Sequence, residues 1–389
     1  MRSLNLILPI RKAIGQTIGS CLFAVCLLLT ILVIENDAAR AQTWTLTSAP
    51  NVPWSAIAMS ADGRVIAACS KFSKLIYTST DWGASWASNT APSGYVESVA
   101  VSPDGTTMAA GGLLSYVYFS TNSGATWATN FLVYDTFQLL FSGDGTRLFS
   151  VGQYMYVTTN LGSSWTQLAK AGYPIACSAD GRQLIADGGE VVDRSTNGGA
   201  SWFPSFPFPD NDFRCVTSSG DGTRLSACYG GGHIYVSTNS GATWGQSALS
   251  YGPWSDVCSM DAKRLIAWGT GFICNSTDFG RTWTTNGLFD VGLAGLLACS
   301  QDGIRLVAAD GLIYTAFWPP VLNVQSSASN IVLSWSAPAT GWSLQQNSDI
   351  TTTNWTNIPV SATTTNFENQ VILAPSSNSA FFRLAYSPP

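Results

Sequence analysis

The side chains best spaced to do chemistry are Asp81, Asn122, Asn160, Asn197, Asn239 and Asp278, which recur at one place in a repeated eight-residue pattern. Carboxylates at a regular spacing can ligate a metal or work as paired acids. The make-up of this set argues against both. Four of the six are Asn, and swapping carboxylate for amide keeps the acceptor oxygen but loses the charge and the acidic proton, which suits a turn staple. Other reactive groups are sparse. His233 is the sole histidine, and the glutamates beyond residue 41 are Glu97, Glu190 and Glu368. A two-carboxylate glycosidase could pair Glu97 with Asp256 or Asp212, without a motif behind it. No His/Cys spacing suits zinc, and no cofactor is expected.

The octet that carries these side chains is written six times: STDWGASW, STNSGATW, TTNLGSSW, STNGGASW, STNSGATW and STDFGRTW. Their closing tryptophans, Trp86, Trp127, Trp165, Trp202, Trp244 and Trp283, fall 41, 38, 37, 42 and 39 residues apart. A period near 40 residues marks one supersecondary unit repeated. Within it, Asp or Asn accepts from backbone N–H groups just ahead, and Gly supplies a positive φ. Trp then opens the next strand, so the octet reads as a stapled hairpin turn.

A second repeat interleaves with the first, from MSADGRVIAA at Met59 to CSQDGIRLVA at Cys299, in seven copies. Its Asp-Gly turns and the apolar alternation on either side predict two more strands. Each unit is thus four strands, A and B about the Asp-Gly turn, C and D about the octet. Thr43–Leu46 looks like an isolated D strand, and the last unit, near residues 292–317, lacks one. The expected fold is all-β, a seven-bladed β-propeller over residues 42–317 whose ring is closed by the N-terminal strand.

The octet resembles the Asp-box (BNR) repeat of bacterial neuraminidases. That resemblance implies a propeller and raises the question of sialidase chemistry, which uses three arginines on a carboxylate, a tyrosine nucleophile paired with a glutamate, and an acid/base aspartate. The F/Y-R-I-P motif of those enzymes is absent. Arg64, Arg147, Arg182, Arg224, Arg264 and Arg305 all recur beside A–B turns, Arg194 and Arg281 lie in or next to octets and Arg383 in the C-terminal stretch, leaving only Arg214 well placed. The chain is also similar to exported propellers related to the photosystem II stability and assembly factor, which bind protein without catalysis. It lacks an arginine-rich patch of their kind.

In this design both repeated turns lie on one face, so recognition is expected on the other, in the D–A and B–C loops. The candidate ligand-binding residues there are Trp54, Tyr95, Glu97, Tyr134, Asp212, Arg214, Tyr251, Trp254 and Asp256. Aromatics interspersed with carboxylates suit a protein or glycan ligand; they also serve as filler between wedge-shaped blades. After Trp318-Pro319-Pro320 the period stops. Residues 318–389 predict a small β-sandwich, and LSW, LQQNSD, NWT and FFRL resemble a C-terminal module of secreted planctomycete and verrucomicrobial proteins.

Hydrophobic residues make up 46% of the 389 and charged ones 11%, which excludes a disordered or coiled-coil chain. Arg2, Arg11 and Lys12 precede an uncharged run from Ala13 to Ile34, and Ala39-Arg40-Ala41 offers a cleavage site. Residues 1–41 therefore read as a signal peptide, or as an anchor if left uncut; either way the chain is expected to be exported. Cleavage would take four basic residues (Arg2, Arg11, Lys12, Arg40) from 18 and two acidic ones (Glu35, Asp37) from 23, leaving 14 against 21. The remaining net charge of −7 disfavours nucleic acid and anionic membrane as partners, and a monomer is expected. Seven cysteines remain. Cys69, Cys177 and Cys299 read as small buried hydrophobes, while Cys215 and Cys228 flank the Asp221-Gly222 turn symmetrically, as a cross-strand disulfide or as two buried thiols.

Overall fold

The computed structural model describes residues 8–9, 44–70, 74–90, 95–112, 116–131, 135–169, 175–188, 191–207, 213–229, 232–249, 256–258, 264–269, 272–288, 295–318, 320, 322–326, 330–336, 342–349, 351–358, 363–365, 368–373 and 381–386. It divides into two units, Ala41–Trp318 and a second comprising Met1–Arg40 with Pro319–Pro389. Strands and turns account for the regular structure of the described residues, which contain no helix.

In the first unit the described strands form seven four-stranded antiparallel sheets. Their first strands are Trp54–Met59, Ser98–Val101, Thr136–Phe141, Ile175–Cys177, Phe213–Ser218, Asp256–Cys258 and Leu296–Cys299. Six sheets use four strands in chain order. The seventh takes Leu296–Cys299, Arg305–Asp310 and Leu312–Phe317, and its fourth strand is Trp44–Leu46 from the far end of the unit, with Thr45 opposite Thr315.

The cores lie between sheets. Val65, Ala67, Cys69 and Ile76 of the first sheet meet Val99, Val101 and Met108 of the second; Ile66 and Ala68, on its other face, meet Val307, Ala309 and Ile313 of the seventh. A sheet covered on both faces has no solvent side, and its inner strands lose the alternation of half-exposed ones. Ile66–Ser70, Met108–Gly111 and Leu265–Gly269 are buried along their whole length. This differs from the in/out pattern the sequence suggests. The small Ala, Gly and Ser residues on these strands let the flanking sheets approach.

The octet turns have one construction. Ser79 Oγ donates to Asp81 Oδ1 at 2.8 Å and accepts from Gly83 N at 2.8 Å. Asp81 Oδ1 also accepts from Ser85 N at 2.9 Å, while Oδ2 accepts from Ser85 Oγ at 2.6 Å. In the Asn copies Oδ1 keeps its role, taking Thr126 N at 2.9 Å, and Asn122 Nδ2 donates to Thr126 Oγ1 at 2.9 Å. A hydroxyl both donates and accepts, so the seventh-position Ser or Thr serves either partner. The fourth and fifth residues are left-handed, as at Trp82 (φ 58°) and Gly83 (φ 85°). A Cβ on Gly83 would lie 3.0 Å from Thr315 in the seventh sheet and 3.2 Å from Thr47 just past its Trp44–Leu46 strand, so this turn rests on its neighbour. Trp86, Trp127, Trp202 and Trp283 close the motif by donating Nε1 to the octet glycine's carbonyl at 3.1–3.2 Å.

The Asp-Gly turns tie sheet to sheet. Ser142 Oγ donates to Asp144 Oδ1 at 2.6 Å and accepts from Arg147 N at 3.0 Å. Backbone bonds then run between turns: Gln301 N to Ala61 O (2.8 Å), Ala61 N to Pro103 O (2.9 Å), Asp144 N to Ala179 O (2.8 Å) and Ala179 N to Gly220 O (2.7 Å). Pro103 has no N–H, and the series breaks there. Next to these turns Arg305 lies over Trp82 at 5.3 Å and Phe317 at 4.4 Å, and Arg224 over Phe279 at 5.4 Å.

Cys215 and Cys228 pair across the fifth sheet with Cα atoms 5.2 Å apart and form a disulfide. Cys299 is also disulfide-bonded, which corrects its assignment as a buried thiol. Cys69 and Cys177 are free, and burial pushes both thiols up to about 12.

The second unit holds two four-stranded sheets. One is Asn323–Ser326, Ile331–Ser336, Glu368–Leu373 and Thr363–Thr365; the other is Leu8–Pro9, Phe381–Tyr386, Trp342–Asn347 and Thr356–Asn357. Leu322, Leu333, Trp335, Leu344, Val371, Phe382 and Leu384 form their shared core.

Three outcomes are expected. Asn122→Asp should leave urea stability at pH 7 near that of the parent, whereas Asn122→Ala removes the acceptor for Thr126 N–H and should cost about 1–2 kcal/mol. Peptide mapping without reduction should recover Cys215 joined to Cys228, and replacing both with Ala should cost about 2–4 kcal/mol. For Asp104 the bond from Ser102 Oγ, against a smaller burial cost, holds the carboxyl below its ordinary value; for Asp144 the burial cost is outweighed by bonds from Ser142 and Thr146. A folded pKa below the unfolded one stabilises above about pH 4 and is lost as pH falls through the folded value. Asp144→Asn should therefore flatten the acid limb of a melting-temperature profile; a limb as steep as the parent's would contradict this.

Candidate binding face

At the corners opposite the repeated turns, Trp54 opens the first sheet, half-buried, its position set by Gly311. The Gly311 carbonyl accepts Trp54 Nε1 at 3.0 Å and Val52 N at 3.1 Å, with φ of 68° at the glycine. Trp54 meets Tyr77 edge-on at 5.1 Å. Lys74, itself left-handed, sets its ammonium 5.1 Å from the ring of Tyr95, which is 44% exposed. Tyr95 is held by close backbone approach, since a Cβ on Gly112 would sit 2.4 Å from its carbonyl oxygen. Two residues on, Glu97 N donates to Gly111 O at 2.9 Å and its side chain is half-buried.

Three first strands carry a β-bulge at one equivalent place. Pairing skips Ser55, Phe137 and Arg214, each five residues before the serine of its Asp-Gly turn. A bulge leaves its residue out of the ladder and re-aims the side chain. Phe137 is 45% exposed and Arg214 is exposed, whereas Ser55 turns back to donate to Cys69 O at 3.2 Å. Counting five back from the other serines reaches Glu97, Tyr173, Trp254 and Gly295. That alignment of repeats is the signal by which Phe137, absent from the sequence-derived candidates, could have been found.

The structure thus brings Lys74 to Tyr95, and Trp54 to Tyr77. Arg214 stands apart on the fifth sheet. Asp256 opens the sixth sheet opposite Trp268, while Glu97 leads into the second, whose first strand touches those of the first and third. Tyr134, Asp212, Tyr251 and Trp254 lie outside the described residues. His233 Nδ1 is bound to Gln246 Nε2 at 2.8 Å beside the edge of the fifth sheet.

A cavity of about 310 Å³ opens between first strands and is lined by consecutive residues such as Ile57–Ala61 and Gln138–Gly143. Consecutive lining is the mark of a strand edge, where backbone N–H and C=O groups point outward. Gln138 spans part of it, donating Nε2 to Ile175 O at 3.1 Å and accepting Ile175 N at 2.9 Å. The described lining side chains are uncharged. In this unit the described carboxyls held below their ordinary value, Asp81, Asp104, Asp144, Asp180, Asp221 and Asp278, all sit in the repeated turns and owe the shift to hydrogen bonds that outweigh burial.

No family model matches the chain, and no curated protein matches it. Solved structures do. YCF48 bound to D1 peptide superposes with a TM-score of 0.58 at 16% identity, over 71% of this chain and 96% of that one. Hydrazine synthase of Kuenenia stuttgartiensis gives 0.58 at 13% identity over 70% and 97%, and U3-55K gives 0.58 at 14% over 70% and 98%. At such identities the likeness speaks for the fold alone. With the four-stranded antiparallel sheets above, the fold of this chain is a β-propeller.

Proposed function

We propose that this chain is an exported, non-catalytic propeller of the Asp-box kind, with seven blades closed by the Trp44–Leu46 strand, that binds a segment of another protein on the face bearing Trp54, Lys74, Tyr95, Phe137 and Arg214. The observation that carries the reading is the character of that face. Exposed aromatics and bulge residues are spread over several sheets, and the first unit's described carboxyls with lowered pKa lie in turns at the other end. Catalysis would call for acids and bases converging on one point. Spread aromatic anchors suit an extended partner, as at interfaces where a few Tyr, Trp and Arg residues dominate. The likeness to a propeller bound to a peptide adds support. On this reading Leu8–Pro9 leaves with the signal peptide, and the mature chain acts as a monomer without cofactor.

A random peptide library displayed on phage tests it. The protein is expected to enrich peptides whose affinity falls at least tenfold in Tyr95→Ala and Phe137→Ala, with melting temperatures within a few degrees of the parent. Absence of enrichment, combined with turnover of a fluorogenic glycoside that Glu97→Gln abolishes, would replace the reading with a glycosidase.

A further inference from the structure

Residues 319–389 contain three charged side chains, Asp349, Glu368 and Arg383, in a stretch rich in Ser, Thr, Asn and Gln. Such a unit has little with which to recognise a charged polymer. One of its sheets is nonetheless ordered toward solvent. Gln345 lies opposite Arg383 on one side and Asn357 on the other, so three polar side chains form a row across three strands. Leu344, Phe382 and Leu384, on the alternate positions, point into the core. Strand alternation therefore fixes the row on the outer face.

The row is bonded end to end. Arg383 Nε donates to Gln345 Oε1 at 2.9 Å, Gln345 Nε2 donates to Asn357 Oδ1 at 3.0 Å, and Ser343 Oγ donates to the same oxygen at 3.3 Å. These bonds set the amide orientations. They leave Asn357 Nδ2 as a donor, the Ser343 oxygen as an acceptor and a second Gln345 N–H, all at fixed spacing. Beside them the half-buried Trp355 ring is held by Arg383, whose guanidinium carbon stands 4.3 Å from the ring centroid. Sugar rings present the matching chemistry, hydroxyls that donate and accept around the edge and C–H groups on the faces.

We propose that Ser343, Gln345, Trp355, Asn357 and Arg383 form a binding platform for an uncharged polysaccharide. It is separate from the protein-binding face and does not depend on that assignment. The partner's neutrality follows from the near absence of charge in residues 319–389, and a strand of sugars suits a flat row better than a pocket.

Partition of the full chain onto regenerated cellulose, chitin and a cross-linked α-glucan tests this. Retention is expected on at least one, unchanged in 1 M NaCl, and reduced at least tenfold by Trp355→Ala and by Gln345→Ala. Asn357→Ala guards against misfolding, because that exposed residue can be replaced without touching the core; it should weaken retention severalfold at an unchanged melting temperature. Tyr95→Ala should retain parent partition, which separates failure here from failure of the protein-binding proposal. Absence of retention on all three polymers, retention lost in salt, or retention indifferent to Gln345→Ala and Asn357→Ala would overturn the proposal.

Discussion

A four-stranded sheet with two apolar faces cannot stand alone in water, and the larger unit depends on resolving that. Burying a Val, Ile or Leu side chain is worth about 1.5–3 kcal/mol, and each sheet here presents such residues on both sides. Ile66 and Ala67 are neighbours in sequence, yet one packs toward the seventh sheet and the other toward the second. Removal of the first sheet would expose two cores. The same constraint gives the Trp44–Leu46 strand its place, because the third strand of the seventh sheet would otherwise leave its outer edge unpaired.

The turns serve this arrangement by adding directional bonds to a non-directional force. Octet glycines rest against the sheet before them, Asp-Gly turns exchange backbone bonds with the sheet after them, and arginines from one turn lie over aromatic rings of another. The octet tolerates Asp or Asn because its partner hydroxyl can reverse its role. The turn depends on the acceptor oxygen that Asp and Asn share, since Oδ1 takes the same backbone N–H in both kinds of copy, and not on the charge.

Much of this was legible in the residues. The 40-residue period and two turn signatures mark four strands per unit, since Asp-Gly and the octet are local devices whose geometry depends on few neighbours. Features set by tertiary contact were not. Full burial of Ile66–Ser70 depends on two flanking sheets, and Ala-Ala-Cys-Ser reads locally as a weak half-exposed strand. The bulges at Phe137 and Arg214 leave no composition signal and emerge only when repeats are aligned on their serines. Cys299 lies just before an Asp-Gly turn, as the free Cys177 does, and nothing local separates the bonded residue from the free one. The row at Gln345 needs the strand at Asn357, 12 residues on, and the one at Arg383, 38 residues on, to fall into register with it.

These differences divide the first unit by role. At one end the residues repeat because each must make the same turn and meet the same kind of neighbour; substitution there is tested against packing. At the other end Gly112, Gly311 and the bulges fix backbone positions, while the side chains they carry, Tyr95, Trp54, Phe137 and Arg214, differ from sheet to sheet. Holding the backbone while varying the side chain is what a recognition surface requires, because rigid support reduces the entropy lost on binding. Catalysis would demand more, namely convergence of a few groups to within about 3 Å of a common point. With Glu97 leading into the second sheet and Asp256 opening the sixth, these two carboxylates are carried by different parts of the fold, and the aromatic groups between the first and third sheets dominate the described face. On the proposed reading, such a surface would gain affinity by adding contacts along a partner's length, which is why an extended segment is proposed over a compact substrate.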